Sequence, residues 1–160
     1  MADLVEANVG KTHVLECETF LPLPLETVFE FFSNAENLET ITPKDLQFSI
    51  LTPCPIEMRQ GALIDYRLKL NGIPMTWKTE IEVWEPGVRF VDNQLKGPYK
   101  RWWHEHKFRE VEGGVIMNDR VEYELPFGPL GEIAHALFVR KKVQGIFGHR
   151  EAAIRQALGL

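Results

Sequence analysis

The sequence predicts an α+β fold: a curved antiparallel sheet of about seven strands around a long C-terminal helix, with two short helices after the first strand. Three features predict it. One strand-like and two helix-like segments precede residue 44, alternating apolar and polar residues fill residues 46–123, and helical spacing returns over residues 130–158. Strands joined by tight turns run antiparallel, and such a sheet twists and curls around its covering helix. The enclosed space must be filled by side chains or by a ligand.

The N-terminal elements are bounded by proline and asparagine. Residues 12–21 alternate as a strand, and Pro22 ends it. Residues 25–33 carry apolar side chains at helical spacing, which predicts the first short helix. Residues 35–41 form the second short helix, with Asn34 as its N-cap.

Six strands are predicted between the short helices and the C-terminal helix. They cover residues 46–50, 62–70, 73–83, 88–95, 99–111 and 115–123. Asn71-Gly72 is a strong hairpin signal. A turn centred on Gly113-Gly114 would place Phe108 opposite Asp119. It would also place His106 and His104 opposite Val121 and Tyr123, respectively.

Strand alternation assigns side chains to the two faces of the sheet. On the strand over residues 73–83, the inward set ends with Ile81 and Val83, so Trp84 falls on the outward face, as does Trp103. Two exposed tryptophans would form an apolar patch and favour a partner or a homodimer contact.

Residues 130–158 predict one long helix. Its apolar stripe includes Ile133 and Leu137, which places His135 off the stripe and toward solvent. Gly145 weakens its middle by roughly 1 kcal/mol relative to alanine, or permits a close approach to the sheet.

Length and composition limit the function classes. The 160 residues suit one domain over 1–160, and the net charge of -5 offers no basic surface for nucleic acid. No apolar run approaches the ~20 residues that span a bilayer, and residues 1–11 lack a signal-peptide core, so we expect a cytoplasmic protein. Cys17 and Cys54 have no metal-type spacing and are expected to be free thiols.

The most informative pattern places Trp102, His104, His106 and Phe108 at every second position of one predicted strand. These side chains share the inner face, and the next strand adds Asp119 to it. Buried imidazoles and carboxylates need hydrogen-bond partners, so the pattern indicates a lined pocket. The expected ligand-binding residues are Tyr66, Met75, Trp77, Phe90, Trp102, His104, His106, Phe108, Met117, Asp119 and Tyr123.

Four interpretations of His104, His106 and Asp119 stay open. These groups satisfy one another and brace the sheet, or they hydrogen-bond the polar end of an apolar ligand. They are also the candidate catalytic residues, with a histidine as general acid or base that Asp119 orients. Imidazoles ~7 Å apart at the backbone could chelate a metal, but no fourth ligand is evident. Neither a metal nor a cofactor is expected.

Several local motifs resemble one superfamily. Residues 23–32 (LPLETVFEFF) resemble its P-x-x-x-V-(F/W)-x-(F/L) entry to the first helix, and residues 37–43 (NLETITP) resemble the N-L-x-x-(I/W)-x-P that ends the second. Residues 97–108, 117–123 and 126–131 resemble strands and a turn of its bacterial members. The chain is therefore similar to the START-like, SRPBCC superfamily, in its polyketide cyclase/dehydrase and lipid-transport-like branch. The resemblance implies a helix-grip fold with a cavity for a small or lipid-like molecule, but carries no catalytic set to this chain.

The leading hypothesis is the binding of a small hydrophobic or amphipathic molecule, lipid-, polyketide- or quinone-like, between the sheet and the C-terminal helix. The alternative is a polyketide cyclase or dehydratase that uses a His–Asp acid–base pair. A third class is an interaction protein with a collapsed cavity. A small hydrophobic ligand is the expected partner, with no nucleic acid and no membrane span.

Overall fold

A computed structural model describes residues 3–160 as one curved eight-stranded sheet with helices on its inner side. The strands are β1 (Asp3–Val9), β2 (Thr12–Leu21), β3 (Ser49–Ile50), β4 (Leu63–Leu70), β5 (Ile73–Glu85), β6 (Arg89–Lys96), β7 (Arg101–Val111) and β8 (Gly114–Glu124). The helices are α1 (Leu25–Ser33), α2 (Asn37–Ile41), α3 (Pro129–Ala134) and α4 (Arg140–Ala157), with a 3-10 turn at Lys44–Leu46 and a π-helical turn at His135–Val139.

The strand order in the sheet is β1-β2-β8-β7-β6-β5-β4-β3, and neighbouring strands pair antiparallel. The helix-grip α+β architecture is thus confirmed, with eight strands where the sequence predicted about seven. The additional strand is β1, which pairs with β2 from Asp3↔Glu18 to Val9↔Thr12. Its residues from Leu4 onward are exposed, so it lacks the one-sided apolar alternation that identifies a half-buried strand.

The β7–β8 hairpin differs from the predicted register by two residues. Val111 pairs with Gly114, so the turn residues are Glu112 and Gly113, the latter at φ 82°. Gly114 itself lies in β8, where a Cβ atom would come within 2.2 Å of the Leu21 carbonyl oxygen.

This shift moves every cross-strand partner but no side chain to the other face, because strand side chains alternate with period two. His106 pairs with Asp119 and His104 with Val121, instead of Val121 and Tyr123. Phe108 pairs with Met117.

A register irregularity in β5 corrects the expected position of Trp84. The pairing of β5 with β6 shifts between Ile81 and Val83, as at a β-bulge. Trp84 therefore faces inward and contacts the rings of Phe29 and Phe90. The predicted outward patch with Trp103 does not form, because Trp84 belongs to the core.

The C-terminal helical segment also differs from the prediction of one regular helix. A π-helical turn adds one residue to a turn and so rotates α3 relative to α4 by about 100°. Ile133 and Leu137, assigned to the buried stripe, are 57% and 58% exposed, whereas His135, expected in solvent, is buried. His135 bonds the Tyr123 hydroxyl at 2.8 Å.

The core consists of apolar side chains between the concave sheet face and the helices. Beneath α1, Val28 and Phe32 pack with Phe108, Val115 and Met117. On α4, a buried stripe at a spacing of three to four residues comprises Val143, Phe147, Arg150 and Ile154. No helix within residues 3–160 is long and apolar enough to cross a membrane.

Candidate ligand-binding cavity

A cavity of about 160 Å³ lies between the concave face of the sheet, the 3-10 turn and helices α2 and α4. It is lined by Leu38, Thr42, Leu46, Phe48, Tyr66, Leu68, Leu70, Trp77, Thr79, Asp92, Tyr99, Trp102, His104, His106, Ile146, Phe147 and Arg150. A smaller hollow of about 50 Å³ shares Leu38, Tyr66, Asp92, His106 and Arg150 with it. The shared polar groups therefore separate two parts of one interior space.

Two histidines and two aspartates form a ring at the cavity wall, which we call the His–Asp cluster (Asp92, His104, His106 and Asp119). Three of these side chains are buried, and that of Asp92 is 24% exposed. His104 Nε2 donates to Asp119 Oδ1 at 2.7 Å, and His106 Nε2 donates to Asp92 Oδ2 at 2.9 Å. His104 Nδ1 lies 3.6 Å from Asp92 Oδ2. His106 Nδ1 approaches Asp119 Oδ1 to 2.9 Å, without the alignment of a hydrogen bond. Each imidazole thus stands between two carboxylates.

Arg150 brings a further charge from α4 to this cluster. Its side chain is 9% exposed, and its Nη1 lies 3.9 Å from Asp119 Oδ2. Its guanidinium carbon lies 5.6 Å from the centroid of the Phe147 ring. No hydrogen bond to Arg150 is present among residues 3–160, and its Nε is buried without a partner.

The charges of the cluster are set by mutual interaction rather than by solvent. Burial raises the pKa of Asp119, but Arg150 and the two histidines outweigh it and hold that pKa well below its usual range. For Asp92, burial likewise raises the pKa, but the two histidines outweigh burial and bring the pKa below its usual value.

The two imidazoles shift in opposite directions. Burial lowers the pKa of His106, yet Asp119 and Asp92 outweigh it and raise the pKa to about 9. Burial and the neighbouring His106 lower the pKa of His104. At neutral pH the cluster therefore holds two carboxylates, one imidazolium and one neutral imidazole. With Arg150, its formal charge is zero.

Aromatic side chains line a second part of the cavity wall. Trp77 and Trp102 meet edge to face with ring centroids 5.4 Å apart, and Tyr99 lies 4.7 Å from Trp102. These rings and the aliphatic side chains of β4 form an apolar wall, while the His–Asp cluster and Arg150 form a polar one. A two-ended cavity of this kind suits an amphipathic molecule.

The structure brings together only some of the residues expected to bind ligand. The cavity is lined by Tyr66, Trp77, Trp102, His104 and His106. Phe90 lines the smaller hollow. Asp119 does not line the cavity but contacts both histidines that do.

Four expected residues lie elsewhere. Phe108 and Met117 pack in the core beneath α1, at the part of the concave face that this helix covers. Tyr123 lies behind Trp102 and bonds His135. Met75 lies near the turn of the β4–β5 hairpin, where it pairs with Leu68, and contributes to a surface depression. Alternation correctly identified a face, but not which part of it the helices cover.

Sequence reasoning missed Asp92, Tyr99 and Arg150. Asp92 was detectable, because it shares a strand face with Phe90, two positions earlier. Arg150 was also detectable, since it occupies the buried stripe of α4 between Phe147 and Ile154. Tyr99 opened the predicted strand over residues 99–111, where alternation puts it on the outer face with Trp103; in the structure it precedes β7 and lines the cavity.

Two groups of described residues have potential metal ligands within 4.8 Å of one another: Asp92, His104 and His106, and His13, Glu132 and His135. In the first, the ring nitrogens already face carboxylates, and Arg150 lies beside Asp119, so protons and a guanidinium supply the positive charge. In the second, the His13 and His135 rings stack at 3.6 Å and 18°, so their in-plane lone pairs do not converge. Neither arrangement favours an ion over the contacts present.

Comparison with known proteins identifies the class to which this fold and cavity belong. The family model described as polyketide cyclase/dehydrase and lipid transport matches residues 21–146. The chain therefore belongs to this SRPBCC-type family. A search of curated protein sequences found no match.

Solved structures with the same fold share little sequence with this chain. Protein Ms6760 from Mycobacterium smegmatis has 13% identity and a TM-score of 0.66, covering 97% of this chain and 98% of its own. A Rhodobacter sphaeroides protein has 16% identity and a TM-score of 0.69, covering 98% and 99%. Major latex-like protein 151 from Panax ginseng has 17% identity and a TM-score of 0.57, covering 85% and 97%. At such identities these likenesses establish the fold alone.

Proposed function

We propose that this protein binds a small amphipathic molecule in the cavity, with the apolar part against Trp77 and Trp102 and the polar end at the His–Asp cluster. The observation that carries the proposal is the joining of an apolar hollow to buried, charged groups that face into it. A cluster that only braced the sheet would need no adjoining space. We expect residues 1–160 to act as one ligand-binding domain in the cytoplasm.

The cavity volume limits the size of the ligand. About 160 Å³ is close to the ~150 Å³ engineered core cavity that accommodates benzene, so a ring with a short polar substituent fits without rearrangement. A lipid-, quinone- or polyketide-sized molecule requires the elements that line the cavity to move apart. Small ring compounds are therefore the appropriate first probes, with affinities in the micromolar to millimolar range.

Native mass spectrometry and an NMR titration with benzamide test this proposal. We expect a co-purified small molecule, or benzamide-induced shifts of amide signals in β6 and β7. Leu70→Trp fills the cavity from β4 and should weaken benzamide binding about tenfold or more. Leu63→Trp is the matched control, since Leu63 lies on the opposite face of the same strand and is 49% exposed. Absence of binding, or equal binding by both variants, would contradict the proposal.

A cyclase or dehydratase activity is the second candidate. It is favoured by two adjacent imidazoles whose pKa values shift apart, which provides one proton donor and one acceptor at the cavity wall. His106 would then act as the general acid and His104 as the general base. Incubation with a β-hydroxy ketone tests this candidate: loss of water catalysed by the wild type, and not by His106→Gln, supports it. Unchanged substrate with both proteins leaves binding without catalysis.

A further inference from the structure

The guanidinium of Arg150 is the least satisfied polar group at the cavity. Its side chain is only 9% exposed, yet it makes no hydrogen bond within residues 3–160, and its Nε is buried without a partner. A guanidinium carries five N–H donors, and buried donors are almost always paired. Its nearest carboxylate, Asp119, is 3.9 Å away, which is too far for a hydrogen bond.

The position of Arg150 directs these donors to the interior space. The guanidinium packs over the Phe147 ring and lines both the cavity and the smaller hollow. Asp119 does not satisfy it, because its Oδ2 lies 3.9 Å from Arg150 Nη1 and its Oδ1 lies within 2.9 Å of both His104 and His106. An acceptor that enters the cavity can therefore bind Arg150 without displacing a protein group.

Building on the proposed cavity function, we propose that the polar end of the ligand is a carboxylate, which Arg150 binds. The planar, two-pronged guanidinium matches a carboxylate in a bidentate arrangement that an amide or alcohol cannot reproduce. The aromatic wall of Trp77, Tyr99 and Trp102 then contacts a ring at the other end. The ligand class is a small aromatic carboxylic acid.

The charge balance of the site favours a monoanion over a dianion. Asp92 and Asp119 offset Arg150 and the His106 imidazolium, so a bound carboxylate leaves one net negative charge. A phosphate monoester would leave nearly two beside two carboxylates, at a Coulombic cost that rises in a buried site. The carboxylate is thus the acceptor that satisfies Arg150 with the least repulsion.

The test compares benzoate, benzamide and phenyl phosphate by NMR titration of the same protein. We expect benzoate to bind about tenfold more tightly than benzamide, and phenyl phosphate more weakly than benzoate. Equal or tighter binding of benzamide would overturn the carboxylate inference and leave the proposed function intact. No binding of any probe would contradict both, and preferential binding of phenyl phosphate would assign the site to phosphate esters.

Variants of Arg150 test whether its guanidinium causes the preference for benzoate over benzamide. Arg150→Met should remove the preference for benzoate but retain benzamide binding, which also reports an intact cavity. Arg150→Lys keeps the positive charge but loses the planar, bidentate geometry, so it should retain part of the preference for benzoate. Arg155→Met removes a positive charge from the same helix outside the cavity and should leave the preference unchanged. A preference that persists in Arg150→Met would refute the assignment, and the comparison of probes on the wild type stands even if that variant does not fold.

Discussion

Replacing Asp119 by asparagine is the sharpest perturbation of the His–Asp cluster. Asp119 is 4% exposed and faces His104, His106 and Arg150. The substitution keeps the shape of the side chain but removes its charge. It leaves the His106 imidazolium and Arg150 with Asp92 as the only carboxylate within the cluster.

The magnitude follows from the protonation of His106. Its pKa rises from 6.5 to about 9 in the folded protein, which corresponds to about 3 kcal/mol of stabilisation, net of burial, from the two carboxylates. Asp119 is the largest contributor that raises this pKa. The substitution also leaves the Arg150 guanidinium without its nearest carboxylate. We therefore expect Asp119→Asn to lower the free energy of unfolding by about 3–5 kcal/mol, as for other broken buried ion pairs.

Urea denaturation at pH 7, analysed by linear extrapolation, measures this loss. Glu122→Gln is the matched control, because Glu122 lies on the outer face of the same strand and bonds Arg101 and Arg120 at the surface. Surface ion pairs contribute about 1 kcal/mol or less, so the control should unfold almost as the wild type does. A loss below 1 kcal/mol for Asp119→Asn, or equal losses for both variants, would refute the assigned charges.

Three further predictions concern pH, thiols and glycines. Because the pKa of His106 is raised in the folded protein, the stabilisation by its imidazolium is complete below about pH 6.5 and is lost as pH rises through 9. The free energy of unfolding of the wild type should therefore fall by up to about 3 kcal/mol between pH 7 and 10. Chemical denaturation of His106→Gln should show a clearly smaller loss over the same pH range. Cys54 is exposed, while Cys17 is buried with its pKa raised to about 12, so a thiol reagent should modify one cysteine per native chain and Cys54→Ser should react only after unfolding. Gly114→Ala would force the new Cβ against the β2 backbone and should lower the stability by roughly 2 kcal/mol or more in thermal unfolding. Gly145→Ala on helix α4 places a Cβ that meets nothing within 4 Å. It should raise the stability by up to about 1 kcal/mol.

The element order followed from sequence wherever an element buries one face. β4 and β8 alternate buried side chains with less buried ones, and α1 shows helical spacing, so each was predictable from periodicity. The departures occur where periodicity is broken or absent. β1 is exposed on both faces, the β5 irregularity reverses Trp84, and the π-helical turn places His135 rather than Ile133 in the interior.

The candidate site was predictable only in part, for a related reason. Alternation placed His104, His106 and Asp119 on the inner face, but it says nothing about where along that face a cavity remains. That depends on how α1 fills the region at Phe108 and on the reach of α4 toward the sheet, both tertiary properties. Arg150 comes from α4 and Asp92 from β6, so their convergence required the three-dimensional arrangement.

A crystal structure of the protein grown with benzoate would locate the ligand relative to Arg150 and the aromatic side chains. We expect density for the ring in the cavity against Trp77 and Trp102, with the carboxylate about 3 Å from the guanidinium nitrogens of Arg150. A cavity closed by its own side chains, with benzoate found only at the surface, would contradict this expectation.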